Sequence, residues 1–160
     1  MNRTIIKLFF YLCILTALPS YAQNAVHYYF KTMDIRNGLS QNTVYQILQD
    51  RKGFMWFGTK DGLNRYDGLS YRVYKKENSG LGKNFITALY EDHEGNIWIG
   101  TDGGVFIYNP VLDSFTAFNQ TSDKGTVIKD FVTMIGSDEY DNIWISVENQ
   151  GLFCYNHEKR

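Results

Sequence analysis

Asp50-Arg51-Lys52-Gly53-Phe54-Met55-Trp56 is the stretch that decides the fold, because the chain says it three times. The second copy is Asp92-His93-Glu94-Gly95-Asn96-Ile97-Trp98 and the third Asp138-Glu139-Tyr140-Asp141-Asn142-Ile143-Trp144. In each, the aspartate sits six residues before the tryptophan. Self-similarity at a period of roughly 40–50 residues marks a propeller or another repeat array. Repeated residues then build blades, and function is to be sought in what is not repeated.

The repeat extends outward from the tryptophan. Phe57-Gly58-Thr59 and Ile99-Gly100-Thr101 follow the first two copies, and the third continues as the degenerate Ile145-Ser146-Val147. A glycine-led phrase ending in tyrosine comes next: Gly62 to Tyr66, Gly104 to Tyr108 and Gly151 to Tyr155. Upstream, Thr43–Gln49, Ile86–Glu91 and Phe131–Gly136 correspond. These short β-branched and aromatic runs, parted by Gly, Asp and Asn, read as strands joined by tight turns. Asp-x-x-Gly predicts a hairpin turn with Gly53 and Gly95 at positive φ. Tyr71–Tyr74 and Ser114–Phe118 close the first two units, giving four strands per repeat, the content of one propeller blade. Val105 to Tyr108 is apolar on both faces, as expected of a blade held between two others.

The fold class is therefore all-β: a partial β-propeller of two full four-stranded blades and most of a third, after a signal peptide. Blade 1 is assigned to residues 38–79, blade 2 to 80–126 and an incomplete blade 3 to 127–160. Residues 23–37 are read as an N-terminal strand, centred on His27-Tyr28-Tyr29-Phe30-Lys31, that would close the last blade. The repeats assign Asp50, Gly53, Trp56, Gly58 and Tyr66 to blade structure. The same holds for Asp92, Gly95, Trp98, Gly100, Tyr108, Asp138, Trp144 and Tyr155. Propellers close with roughly 4–8 blades, so the chain reads as the N-terminal part of a longer protein or the product of a truncated gene.

Residues 1–22 read as a secretory signal peptide. Arg3 and Lys7 form a positive n-region, and Leu8 to Leu18 is an apolar stretch of about eleven residues, short for a membrane span. Ser20-Tyr21-Ala22 supplies small residues for cleavage. After cleavage one cysteine remains, Cys154, so no internal disulfide can form. It stands where the other copies have Arg65 and Ile107 and reads as a packed or half-packed strand thiol. Net charge is −1 and the Lys and Arg residues are scattered, which argues against nucleic acid as a partner.

The phrases Gly38-Leu39-Ser40-Gln41-Asn42-Thr43-Val44, Asp50-x-x-Gly53, Met55 to Thr59 and Asp61-Gly62-Leu63-Asn64-Arg65-Tyr66-Asp67-Gly68 closely resemble the two-component regulator propeller repeat. The resemblance covers about residues 27–156. Departures are Asp141 for the usual glycine and Ser146-Val147 for Gly-Thr. It implies the N-terminal part of the periplasmic sensor region of a hybrid two-component histidine kinase that senses glycans. In such proteins two periplasmic propellers lead to a β-sandwich domain, one transmembrane helix, a kinase, a receiver and a DNA-binding output. It implies a parent anchored in the inner membrane and no chemistry for these residues. The remaining blades and downstream domains of the parent are the expected partners, with oligosaccharide as ligand and a homodimer of the parent to be considered.

A catalytic role finds no support in the motifs. Asp92-His93-Glu94-Gly95-Asn96 lacks the ligand order of a calcium loop, and the histidines have no spacing suited to a metal. No cofactor is expected. The tryptophans, fixed in every copy, read as packing residues. Ligand contacts are sought on loops that enter the first strand of each blade or join its second and third strands, since these share one face. The candidates are Asn42, Lys60, Asp61, Asn84, Asp102 and Asn149. A secreted propeller of structural or interaction role remains open, as does a propeller lyase or quinoprotein.

Overall fold

The structure is a computed structural model that describes residues 28–120 and 125–156, with Arg3 and Lys7. The signal-peptide reading thus falls outside the described residues apart from those two side chains' positions. The chain divides into residues 1–31 and 32–160, and among the described residues the strands lie in the second unit.

Three antiparallel sheets follow one another. The first contains β1 (Val44–Gln49), β2 (Met55–Thr59), β3 (Gly62–Tyr66) and β4 (Tyr71–Tyr74) in that order. The second repeats it with β5 (Ile86–Glu91), β6 (Ile97–Thr101), β7 (Gly104–Asn109) and β8 (Ser114–Ala117). The third has β9 (Val132–Ser137), β10 (Ile143–Val147) and β11 (Gly151–Tyr155). The first strands β1, β5 and β9 lie side by side, so the sheets fan out from a common inner edge as propeller blades do.

The repeated phrase is a hydrogen-bonded device. Asp50 Oδ1 accepts from the backbone N of Lys52 and Phe54, while Oδ2 accepts from Trp56 Nε1 at 2.8 Å. Asp92 and Asp138 make the same set, with Trp98 and Trp144 donating at 2.8 and 2.9 Å. The six-residue spacing is the distance over which one carboxylate can close the β-turn and still reach the indole of the returning strand. Gly53 and Gly95 have φ of 88° and 83°, and Asp141 carries the corresponding left-handed φ of 60° in the third turn. Aspartate tolerates that conformation better than most residues, which is why the departure from glycine leaves the turn intact.

Trp56 and Trp98 are each covered by the tyrosine of the following repeat. Trp56 lies 5.0 Å from Tyr108 and Trp98 5.8 Å from Tyr155, centroid to centroid. The glycine two residues after the tryptophan admits the next blade: a Cβ on Gly58 would meet Ile86 Cγ2 at 2.7 Å, and one on Gly100 would meet Val132 Cγ1 at 2.7 Å. Two apolar clusters result. Trp56, Leu63, Ile86, Ile99 and Tyr108 fill the first junction, and Trp98, Val132, Ile135, Ile143 and Ile145 the second.

The closing strand expected at 27–31 has no partner among the described residues: His27 lies outside them, and residues 28–34 form no ladder, with Tyr28, Tyr29 and Phe30 exposed. A Tyr-Tyr-Phe run has β propensity, but a strand exists only with a partner to pair. A single 3-10 turn at Ile35–Asn37 follows, capped by Asp34. Cys154 is exposed, not packed. It pairs with Trp144 in register and lies with Met134 and Leu152 on the bare face of the third sheet.

Candidate ligand-binding face

The backbone brings the expected loops together at one end of the blades. Gly62 N donates to Asn84 O at 2.7 Å, Asp102 N to Phe85 O at 3.3 Å and Glu148 N to Phe131 O at 2.8 Å. Each bond joins a loop between second and third strands to a segment leading into a first strand. In blade 1 the same end is tied by side chains. Ser40 N donates to Asn64 Oδ1, and Asn64 Nδ2 donates to Ser40 Oγ and Phe57 O. Asn64 is fully buried, so its amide needs this set of partners.

The six candidate residues divide by what they already hold. Asn42 Oδ1 accepts from Ile35 N at 3.0 Å and pins the 3-10 turn. Asp61 forms an ion pair with Lys75 at 2.6 Å. Asn84 accepts from Lys76 N at 2.8 Å and donates to Glu77, and that amide is the main reason the Glu77 carboxyl is held below its ordinary value. These three close local loops. Lys60 and Asp102 are exposed. Lys60 Nζ stands 6.0 Å from the centre of the Phe85 ring. Asn149 is exposed and left-handed, with φ of 60°, so its backbone turns the hairpin and its side chain faces solvent.

Sequence reasoning missed the aromatic part of this face. Tyr45 and Phe85 pack at 4.8 Å and Phe85 and Phe131 at 5.5 Å, linking blades 1, 2 and 3. The available signal was that Phe85 and Phe131 both directly precede a first strand.

A second polar assembly ties blades 1 and 2 away from this face. Asp113 Oδ1 accepts from Tyr108 Oη at 2.8 Å and Tyr74 Oη at 3.2 Å, and Asp113 pairs with Arg72 at 2.6 Å. Desolvation works against the carboxylate, but those bonds and the guanidinium win and hold its pKa below the ordinary value. Burial pushes the Tyr74 hydroxyl well up. Arg65 donates to Tyr108 Oη at 2.9 Å. Because Asp113 is held by Arg72 and Tyr74 of blade 1 and by Tyr108 of blade 2, this assembly serves as a clamp. A cleft of about 320 Å³ between the second and third sheets, walled by Trp98, Phe118 and Tyr155, opens toward the Asp92 turn, the opposite end from the candidate residues. Among the described residues, no group of His, Cys, Asp and Glu is arranged to hold a metal, and no helix is long and apolar enough to cross a membrane.

Residues 38–61 and 80–103 match the two component regulator propeller family. A histidine kinase P4 of Formosa agariphila is 42% identical over 59 residues, which are 37% of this chain and 4% of that protein. Two solved extracellular domains from B. thetaiotaomicron, each described as belonging to a hybrid two component system, share the fold. One is 24% identical with a TM-score of 0.67, over 80% of this chain and 17% of its own. The other is 30% identical with a TM-score of 0.65, over 74% of this chain and 17% of its own. A bacterial surface component of the type-IX secretion system of Porphyromonas gingivalis has a TM-score of 0.54 at 17% identity, a likeness of fold. The chain spans less than one fifth of the length of each of these relatives.

Proposed function

Since residues 38–61 and 80–103 are repeats of the two component regulator propeller family, we propose that this chain is the ligand-sensing propeller segment of a hybrid two-component sensor histidine kinase. It is exported, it lies in the periplasm ahead of the parent's membrane anchor, and it senses oligosaccharides to regulate polysaccharide-utilisation genes. The remaining blades and the signalling domains of the parent are its partners. The observation that carries the reading is the pair of family repeats set in a propeller whose loops converge on one face. Sensing requires a ligand that binds one of two states more tightly, and a coupling of about 1–3 kcal/mol suffices. No bond need be broken, which suits a face built of loop ties and aromatic rings.

Two measurements test this. Mass spectrometry of the exported protein should find the new N-terminus at Gln23, and retention of the preceding residues would overturn processing. Transcript profiling of cells fed single polysaccharides, wild type against gene deletion, should lose induction of one glycan-degrading gene set. Unchanged induction on every polysaccharide would overturn the sensing role.

A further inference from the structure

The three innermost strands share one irregularity at the same place. Pairing of β1 with β2 skips Tyr45, pairing of β5 with β6 skips Thr87, and pairing of β9 with β10 skips Thr133. Each is the second residue of its strand. A β-bulge re-aims the unpaired side chain and recurs beside functional surfaces. Three bulges in step, at the end where the loops converge, redirect one side chain per blade there.

The surroundings of these bulges are organised. Tyr45, Phe85 and Phe131 make a continuous aromatic row across three blades. Pure packing would bury it, yet Tyr45 is 46% exposed, and Phe85 and Phe131 are half-buried. The residues that follow the second strands, Lys60, Asp102 and Glu148, border the row. Asp102 and Glu148 are held there by their backbone bonds to Phe85 and Phe131, and Lys60 by its approach to the Phe85 ring. All three are exposed. At the second bulge Thr87 is 6% exposed, and its hydroxyl has no hydrogen-bond partner among the described residues.

We propose that this aromatic row, which runs beside the bulges and takes one ring, Tyr45, from them, is the ligand platform and that it takes a neutral saccharide. The inference rests on the oligosaccharide reading and narrows it. A partly exposed aromatic row suits the apolar face of a sugar, and carboxylates are strong acceptors for its hydroxyls. Lys83, whose side chain lies against Gly103, joins Lys60 on this border, so two amines stand against two carboxylates and no excess of positive charge is offered to a polyanionic glycan. Asn42, Asp61 and Asn84 are then supports of the loops and not contacts.

Calorimetry on the full chain with neutral malto-, xylo-, fructo- and manno-oligosaccharides, and with oligogalacturonate and heparin fragments, tests it. One neutral series should bind. Its affinity should fall about tenfold or more in Tyr45→Ala and in the Asp102→Asn, Glu148→Gln pair, the loss expected for a charged hydrogen bond. Asp67→Asn, in a turn at the other end of blade 1, should bind as wild type. If Tyr45→Ala lowers the melting temperature, the paired substitution of exposed carboxylates decides the matter. A neutral glycan bound equally well by both variants would overturn the platform and leave oligosaccharide sensing standing. Binding of the acidic fragments alone would overturn the ligand class. No binding by any probe would overturn the inference, while the transcript experiment judges the sensing role separately.

Discussion

Trp56 and Trp144 make the same hydrogen bond and live in different surroundings. Each indole donates to its own aspartate, at 2.8 and 2.9 Å, yet Trp56 is 1% exposed and Trp144 39%. Ile47 and Ile135 tell the same story from the other side of a blade. They hold equivalent places in β1 and β9, but Ile47 is 62% exposed and Ile135 only 7%. The turn-closing tie belongs to the repeat itself. Burial belongs to the neighbour, and among the described residues blade 1 has none before it and blade 3 none after it.

The largest expected effect separates tie from burial. Trp56→Ala should cost about 3–5 kcal/mol, the usual loss for a buried tryptophan. Trp144→Ala, which removes the same hydrogen bond but less burial, should cost roughly 1–2 kcal/mol. Equal losses in urea melts of the full chain would mean that the tie, not the neighbour, carries the energy.

Next comes the glycine that admits the following blade. Gly100→Ser places a Cβ 2.7 Å from Val132 Cγ1 and 2.9 Å from Ala88 Cβ, and overpacking of this kind costs about 1–3 kcal/mol. Ser146→Gly, at the equivalent place in the bare blade, loses only the bond between Thr133 and Ser146 at 2.9 Å and should stay within about 1 kcal/mol. A well-tolerated Gly100→Ser would show that the junction can slide.

The smallest effect is a pH dependence. The Asn142 amide first, then the Trp144 indole, hold the Asp138 carboxyl down at about 2, from an ordinary 3.8. A depressed carboxyl contributes stability that is fully present above the unfolded value and lost as pH falls through the folded one. The melting-temperature gap between wild type and Asp138→Asn should therefore be constant above about pH 4.5 and shrink toward pH 2. A gap that does not narrow would mean the carboxylate is not what binds the indole.

The blades were legible because their determinants recur. Asp and Trp keep their spacing in all three copies and Gly and Tyr keep theirs in the first two, and each spacing corresponds to one bond or one close approach. The face was legible only in outline. Strand order places its loops correctly, but composition cannot tell a polar residue that closes a loop from one that awaits a ligand. Asn42, Asp61 and Asn84 each hold a local loop contact in the structure. The bulges escaped notice because what Tyr45, Thr87 and Thr133 have in common is a backbone geometry, and a tyrosine stands in the first copy where the other two have threonine. Asn64 escaped because a buried amide in a strand reads as a solvated one until its partner, Ser40, is seen across the blade.

The short span of the aspartate–tryptophan tie has a kinetic meaning. Its two ends are near neighbours in sequence, and hairpins of that size form in about 1–10 μs. The junctions instead join residues of different repeats, as Trp56 joins Tyr108, and non-local contacts are slower to form. Each hairpin can thus set as soon as its tryptophan is free, with blade-on-blade docking as the slow step. A nascent chain built this way acquires its architecture in instalments, from the first repeat to the last.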